Sequence, residues 1–169
     1  MNGVLAAWNE AAESSALRAM LACCAARRWA QAMVDLRPHR DLKSLRLTAD
    51  KVWSAMEEPD WMEAFAAHPR IGERKPGPAR STDAAWSRQE QSSVAAAPER
   101  VLAQLAEGNA LYEQRFGFTY IVCATAKSAG EMLAILQRRL TSDRGAELRE
   151  AAEQQRRIMQ IRLGKWLGE

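Results

Sequence analysis

Between Ala67 and Pro78 the chain reads Ala-His-Pro-Arg-Ile-Gly-Glu-Arg-Lys-Pro-Gly-Pro, a stretch that cannot be helix inside a sequence that otherwise favours helix. Pro69, Pro76 and Pro78 have no backbone donor, and Gly72 and Gly77 take positive φ at little cost. His68 precedes a proline and is therefore pushed out of the α region, which places it at or just past the end of the preceding helix. One of the two histidines of the chain is thus set on a stiff seam between helices. An imidazole exchanges a proton near neutral pH, with an unperturbed pKa of about 6.5. An ordinary helix stop followed by a surface loop would use the same residues, so the segment alone leaves both readings open.

The length of 169 residues suits one domain, spanning 1–169, with a core of its own. Hydrophobic residues at 47% and charged residues at 27% describe a globular chain and exclude a disordered one. No apolar run approaches a membrane span, and the N-terminus lacks the basic, apolar and small-residue regions of a signal peptide. Cys23, Cys24 and Cys123 are odd in number and lack metal-ligand spacing, which points to a reduced, cytoplasmic protein with buried thiols. A net charge of +3 and a pI near 9.0 admit an anionic partner, whether a small substrate or a nucleic acid.

Ala, Leu, Arg, Glu and Gln dominate, and β-branched residues cluster only near Thr119-Tyr120-Ile121-Val122. Asn2 can cap a helix carrying Leu5 and Trp8, and Ser14 or Ser15 a second through Leu17, Met20 and Leu21. Trp29, Met33 and Leu36 form an apolar stripe that Pro38 ends, and His39 beyond it reads as a solvated turn residue. Leu42 to Met56 suits another helix, and Asp60-Trp61-Met62-Glu63 has capping-box form ahead of Phe65 and His68. Ser81 to Asp83 can open a helix through Trp86, Glu90 and Val94, and Pro98 the next one, which ends near Gly117. Phe118 to Ala124 is apolar and extended, too isolated to make a sheet. Ser128-Ala129-Gly130-Glu131 is a second capping box, and a last long helix runs from about Asp143 towards Leu167. The expectation is an all-α fold, a single compact bundle of roughly seven or eight helices with a proline-rich loop.

Two helices carry polar groups where the pattern asks for apolar ones. Ser87, Glu90, Gln91 and Val94 share a face by three- and four-residue spacing, which offers a hydroxyl, a carboxylate and an amide together. Met132, Ile135, Leu136 and Arg139 share another, so Arg139 lies along an apolar stripe and needs a carboxylate partner from protein or ligand. A solvated polar face and a snorkelling arginine stem would explain these features one at a time. Their occurrence together with His68 favours a site.

The segments Ala67-His68-Pro69-Arg70-Ile71-Gly72, Trp86-Ser87-x-x-Glu90-Gln91 and Tyr112-x-x-Arg115-Phe116-Gly117-Phe118 through Ile121-Val122-Cys123-Ala124 follow in that order. Glu131-Met132-Leu133 and Arg139-Leu140 come after them. This set resembles the 2-oxo-4-hydroxy-4-carboxy-5-ureidoimidazoline (OHCU) decarboxylase family of urate degradation over nearly the whole chain. One departure is Ala126, where that pattern has glycine before the lysine.

The resemblance implies a single all-helical domain, commonly a homodimer, with no metal and no organic cofactor. It implies conversion of OHCU, a small anionic substrate, into (S)-allantoin and carbon dioxide, with no nucleic-acid or membrane partner. By similarity His68, Glu90 and Arg139 are catalytic: His68 as acid/base group, Glu90 holding its proton state, Arg139 gripping an anionic or carbonyl oxygen. Pro69, Ser87, Gln91 and the Phe118, Thr119, Tyr120 and Ile121 segment are implied to bind substrate. Two other classes remain at this point. Arg70, Arg74, Lys75 and Arg80 would serve a nucleic-acid-binding module, and a buried Glu90–Arg139 pair would serve a non-catalytic helical scaffold.

Overall fold

Nine α-helices and one 3-10 turn, with no strand among the described residues, make up the computed structural model, which describes residues 2–73 and 81–169. Expectations that fell on Arg74, Lys75, Pro76, Gly77, Pro78 and Arg80 lie outside the described residues. The chain divides into two units, Met1–Ala64 with Gln155–Glu169 and Phe65–Gln154, and each is described by itself.

In the first unit, α1 (Gly3–Glu10) is capped by Asn2, whose Oδ1 accepts from Val4 N at 2.9 Å and Leu5 N at 3.2 Å. Helix α2 (Glu13–Cys23) begins before Ser14 and Ser15, so the serine cap does not form; Ala12 holds the cap position without a side-chain bond. Helix α3 (Arg27–Asp35) stops ahead of the cis Arg37–Pro38 bond, and Leu36, expected inside, is 52% exposed. Helix α4 (Leu42–Ser54) opens on a capping box between Asp41 and Ser44. The start of α5 (Glu58–Ala66) also differs from expectation. Asp60 lies inside its first turn, accepts from Glu57 N at 3.0 Å and pairs with Arg28 at 3.1 Å. A carboxylate there suits the positive end of the helix dipole. Leu5, Met20, Trp29, Met33 and Leu45 are fully buried and form this unit's core.

His39 is the main correction in this unit: it is buried, not solvated. Its ring stacks on Trp8 at 5.7 Å, and Nε2 donates to the Met33 carbonyl at 3.3 Å. Asn9 clamps its backbone from both sides, donating to His39 O at 2.9 Å and accepting from His39 N at 3.0 Å. Burial of the ring lowers its pKa below the usual histidine value.

In the second unit, α6 (Thr82–Glu90) gives way to a 3-10 turn at Ser92–Val94, so Val94 lies beyond the helix that was expected to carry it. Helix α7 (Glu99–Phe116) ends at Gly117, whose φ of 81° is the left-handed conformation that glycine adopts without strain. Helix α8 (Ala129–Arg139) starts at the expected Ser128–Glu131 capping box, and α9 (Arg144–Leu167) closes the chain. Gly108 lets α8 close on α7: a Cβ there would stand 2.6 Å from Leu136 Cδ2. Phe118 to Ala124 is extended and, apart from the half-buried Thr119, buried. With no neighbouring strand, its polar groups take side-chain partners, among them Cys123 N, which donates to Gln154 Oε1 at 2.9 Å.

Candidate active site

The histidine loop is held residue by residue. His68 follows α5, and its N–H donates to Phe65 O at 3.1 Å; both His68 and Pro69 are half-buried. Arg70 makes a two-pronged contact with Glu113 of α7, Nε to Oε1 at 2.8 Å and Nη2 to Oε2 at 2.7 Å. The Ile71 carbonyl accepts from Asn109 Nδ2, one turn earlier on the same helix, at 2.9 Å. Gly72 takes a φ of 85° and donates its N–H to Gln91 Oε1 at 3.0 Å. Positive φ turns the chain there, which is why a glycine follows Ile71.

Gln91 therefore does what its sequence position could not show: it fastens the end of α6 to the loop that carries His68. Ser87, one turn back, is buried, and Glu90 is half-buried. From the turn after Gln91, Ser93 Oγ donates to Lys127 O at 2.5 Å, and Lys127 Nζ donates to Cys123 O at 2.7 Å. The extended segment is anchored at its other end too, where Phe118 packs against Phe65 with ring centroids 5.4 Å apart. Three segments distant in sequence, 68–73, 87–94 and 118–128, are thereby joined by direct contacts.

Arg139 stands behind the third of these and is 2% exposed. Its Nε pairs with Glu147, Nη1 donates to the Ile121 carbonyl at 2.5 Å, and Nη2 donates to the Tyr112 hydroxyl at 3.3 Å. The Tyr112 hydroxyl in turn donates to Glu147 Oε1 at 2.7 Å, and the Tyr120 hydroxyl donates to Met132 O at 3.0 Å. Desolvation raises the pKa of both phenols, so they stay neutral donors. The carboxylate that the sequence required beside Arg139 is thus Glu147, not Glu90, and the buried Glu90–Arg139 pair of the scaffold reading does not form. Three of the five N–H donors of Arg139 thus reach protein acceptors.

Asn109, Glu113 and Glu147 were missed by the sequence reading. Asn109 and Glu113 sit on a helix of strong apolar periodicity, and their spacing of four residues is the one sequence signal that pairs them. Ala126, where a glycine was expected, has a φ of 62°, alone among the non-glycine residues described in taking the left-handed region. Among the described residues, no group of three or more His, Cys, Asp or Glu side chains could hold a metal ion, and no helix is long and apolar enough to cross a membrane.

The all-helical chain thus ties a histidine loop, a Ser-Glu-Gln helix end and a buried extended segment together. The family model described as OHCU decarboxylase matches residues 9–164, and the chain belongs to that family. It is 35% identical over 145 residues to the uric acid degradation bifunctional protein TTL of Arabidopsis thaliana, covering 85% of this chain and 44% of that one. The chain thus spans less than half the length of that relative. It is 22% identical over 129 residues to the 2-oxo-4-hydroxy-4-carboxy-5-ureidoimidazoline decarboxylase of Haloferax volcanii, covering 76% of this chain and 74% of that one. Among solved structures, an OHCU decarboxylase crystallised in the presence of (S)-allantoin superposes with a TM-score of 0.76 at 31% identity, covering 88% of this chain and 96% of that one. An (S)-allantoin synthase matches in fold, with a TM-score of 0.71 at 16% identity, covering 96% of this chain and 53% of that one.

Proposed function

We propose that this chain is a cofactor-independent decarboxylase that converts OHCU into (S)-allantoin and carbon dioxide in urate breakdown. The observation that carries this reading is the bond from Gly72 N to Gln91, which joins the His68 loop to the Ser87–Gln91 helix end in a chain of this family. Loss of carbon dioxide leaves an electron pair on the ring carbon, and the substrate's own adjacent C=N bond can receive it. The protein then has three tasks: to hold the carboxylate, to stabilise charge as it develops, and to deliver a proton to one face of the ring.

In this reading His68 exchanges the proton, and Pro69 stiffens its placement. Glu90 fixes the proton state of the imidazole. Ser87 and Gln91 hydrogen-bond the ureido and ring groups, with Gln91 using the amide NH2 that its contact to Gly72 leaves over. The backbone from Phe118 through Thr119 and Tyr120 to Ile121 reads the ring edge. Arg139 holds the Ile121 carbonyl, and the N–H groups that its protein contacts leave over grip an anionic or carbonyl oxygen of the substrate. We further take the chain to be one domain, since a single family match runs through residues 9–164. A cytoplasmic homodimer that binds neither nucleic acid nor membrane completes the proposal.

The experiment adds purified protein to freshly generated OHCU and follows circular dichroism. Enzymatic product is a single enantiomer and gains optical activity quickly, whereas spontaneous decay is racemic. Racemic product at the background pace would overturn the proposal.

A further inference from the structure

We infer that Asn109 is a positioning residue for His68, acting through the Ile71 carbonyl, an inference that rests on the decarboxylase reading for its kinetic consequences. Asn109 is 1% exposed in the middle of α7, where an apolar side chain would be the ordinary occupant. Its Nδ2 donates to Ile71 O at 2.9 Å, while its Oδ1 is buried with no hydrogen-bond partner. The Ile71 carbonyl also fixes which way the amide faces, since a flipped amide would set oxygen against oxygen. A buried amide with an unsatisfied acceptor is costly to keep, so the useful half of it is the donor, and the donor's target is the His68 loop.

Arg70 and Gly72 are held by groups near or at the surface, Glu113 and Gln91, but the residue between them is held from inside. Ile71 is buried, and its carbonyl is a point where the loop meets a rigid interior partner. Without that bond the loop keeps its surface anchors and loses the one that sets its depth, and with it the placement of the imidazole three residues earlier.

Asn109→Asp tests this with nearly no change in shape. Ionised, the new carboxylate faces the Ile71 carbonyl and repels it; protonated, it donates as the amide did. Burial and the neighbouring Glu113 raise the pKa of such a carboxyl. Other charged groups of these elements include His68, Arg70 and Glu73 in the loop, Glu107 and Arg115 on α7, and the Arg139–Glu147 pair beside Tyr112. At about pH 8 the variant is expected to lose roughly 10- to 100-fold in kcat, with KM within about threefold of the parent. The ratio of variant to parent kcat then climbs as pH falls towards about 5.5, which a merely structural asparagine would not produce. A flat ratio, or a kcat within about twofold of the parent throughout, would overturn the inference.

The chain has two histidines, so the imidazole resonances provide a readout independent of turnover. Asn109→Asp should shift those of His68, which sits on the loop that Asn109 holds. Unmoved His68 resonances would overturn the inference even if the parent proved inert towards OHCU, a result that would instead count against the decarboxylase reading. Should Asn109→Asp not fold, Asn109→Leu closely keeps the side-chain shape and removes both the unsatisfied acceptor and the donor to Ile71 O; it is expected to move the same His68 resonances and lower kcat severalfold, and no change in either would overturn the inference.

Discussion

Glu147→Gln leaves Arg139 charged, almost fully enclosed and short of its carboxylate, whereas His68→Ala removes a half-buried ring. These two substitutions separate folding from chemistry at the scale of single residues. Breaking a buried ion pair from one side costs about 3–5 kcal/mol, so Glu147→Gln should lower the urea midpoint by that amount of stability; a midpoint within experimental error of the parent would sink the buried-pair account. His68→Ala should abolish turnover and leave the melting temperature close to the parent's, and a near-normal rate would remove the proposed acid/base group. Ala126→Gly acts in the opposite sense. The left-handed conformation costs a non-glycine residue roughly 1–2 kcal/mol, and glycine gives back about half to one kcal/mol through the flexibility of the unfolded chain. A net gain of up to about 1.5 kcal/mol is expected by urea denaturation, and a loss would show that the φ of 62° is not strained.

Elements were legible in proportion to how local their signals are. The Ser128 capping box, the Gly117 stop and the long last helix appear where the sequence put them, because caps and stops are decided within four residues. The start of α2 did not follow, since two adjacent serines offered a cap that the chain bypasses two residues earlier. Asp60 was read as a cap and is instead a first-turn carboxylate, drawn there in part by Arg28, thirty-two residues away in the chain. The candidate site divides in the same way. The loop, the Ser87–Gln91 face and the out-of-place Arg139 are visible as patterns; their partners Asn109, Glu113 and Glu147 are not, because those pairings exist only once the 68–73 loop has packed on α7 and α9 on α8. Gly108 belongs to that packing. Gly108→Val gains a little helix propensity but puts its Cβ against the fully buried Leu136, so a net loss of about 1–3 kcal/mol is expected by thermal or urea unfolding. A more stable variant would show that α8 can shift away.

On the scale of the whole molecule, the small basic excess says less than how the charges are engaged. Arg27, Arg28, Arg40, Arg46, Arg70, Arg139 and Arg156 each face a carboxylate, and most of these are exposed pairs that contribute little one by one. The charge that should show in global stability is one the fold suppresses. His39 is buried between Trp8 and the Met33 carbonyl, and its pKa is held below the value of 6.5 that it has when unfolded. Between those two values the unfolded chain binds the proton more readily than the folded one. The contribution of His39 to stability is therefore fully present above pH 6.5 and is lost as pH falls through the folded-state value. Asp41 and Glu131, both lowered by backbone hydrogen bonds at helix starts, have the same sign but act in the carboxylate range below about pH 4.5. His39→Phe keeps an aromatic ring for Trp8 to stack on and removes the titration. Urea unfolding at about pH 7.5 and again at about pH 5 should show the parent losing more stability on acidification than the variant does. Equal losses would mean that the ring is protonated as readily in the folded protein as in the unfolded chain, and that the Trp8 stack and the Met33 carbonyl tolerate the charge.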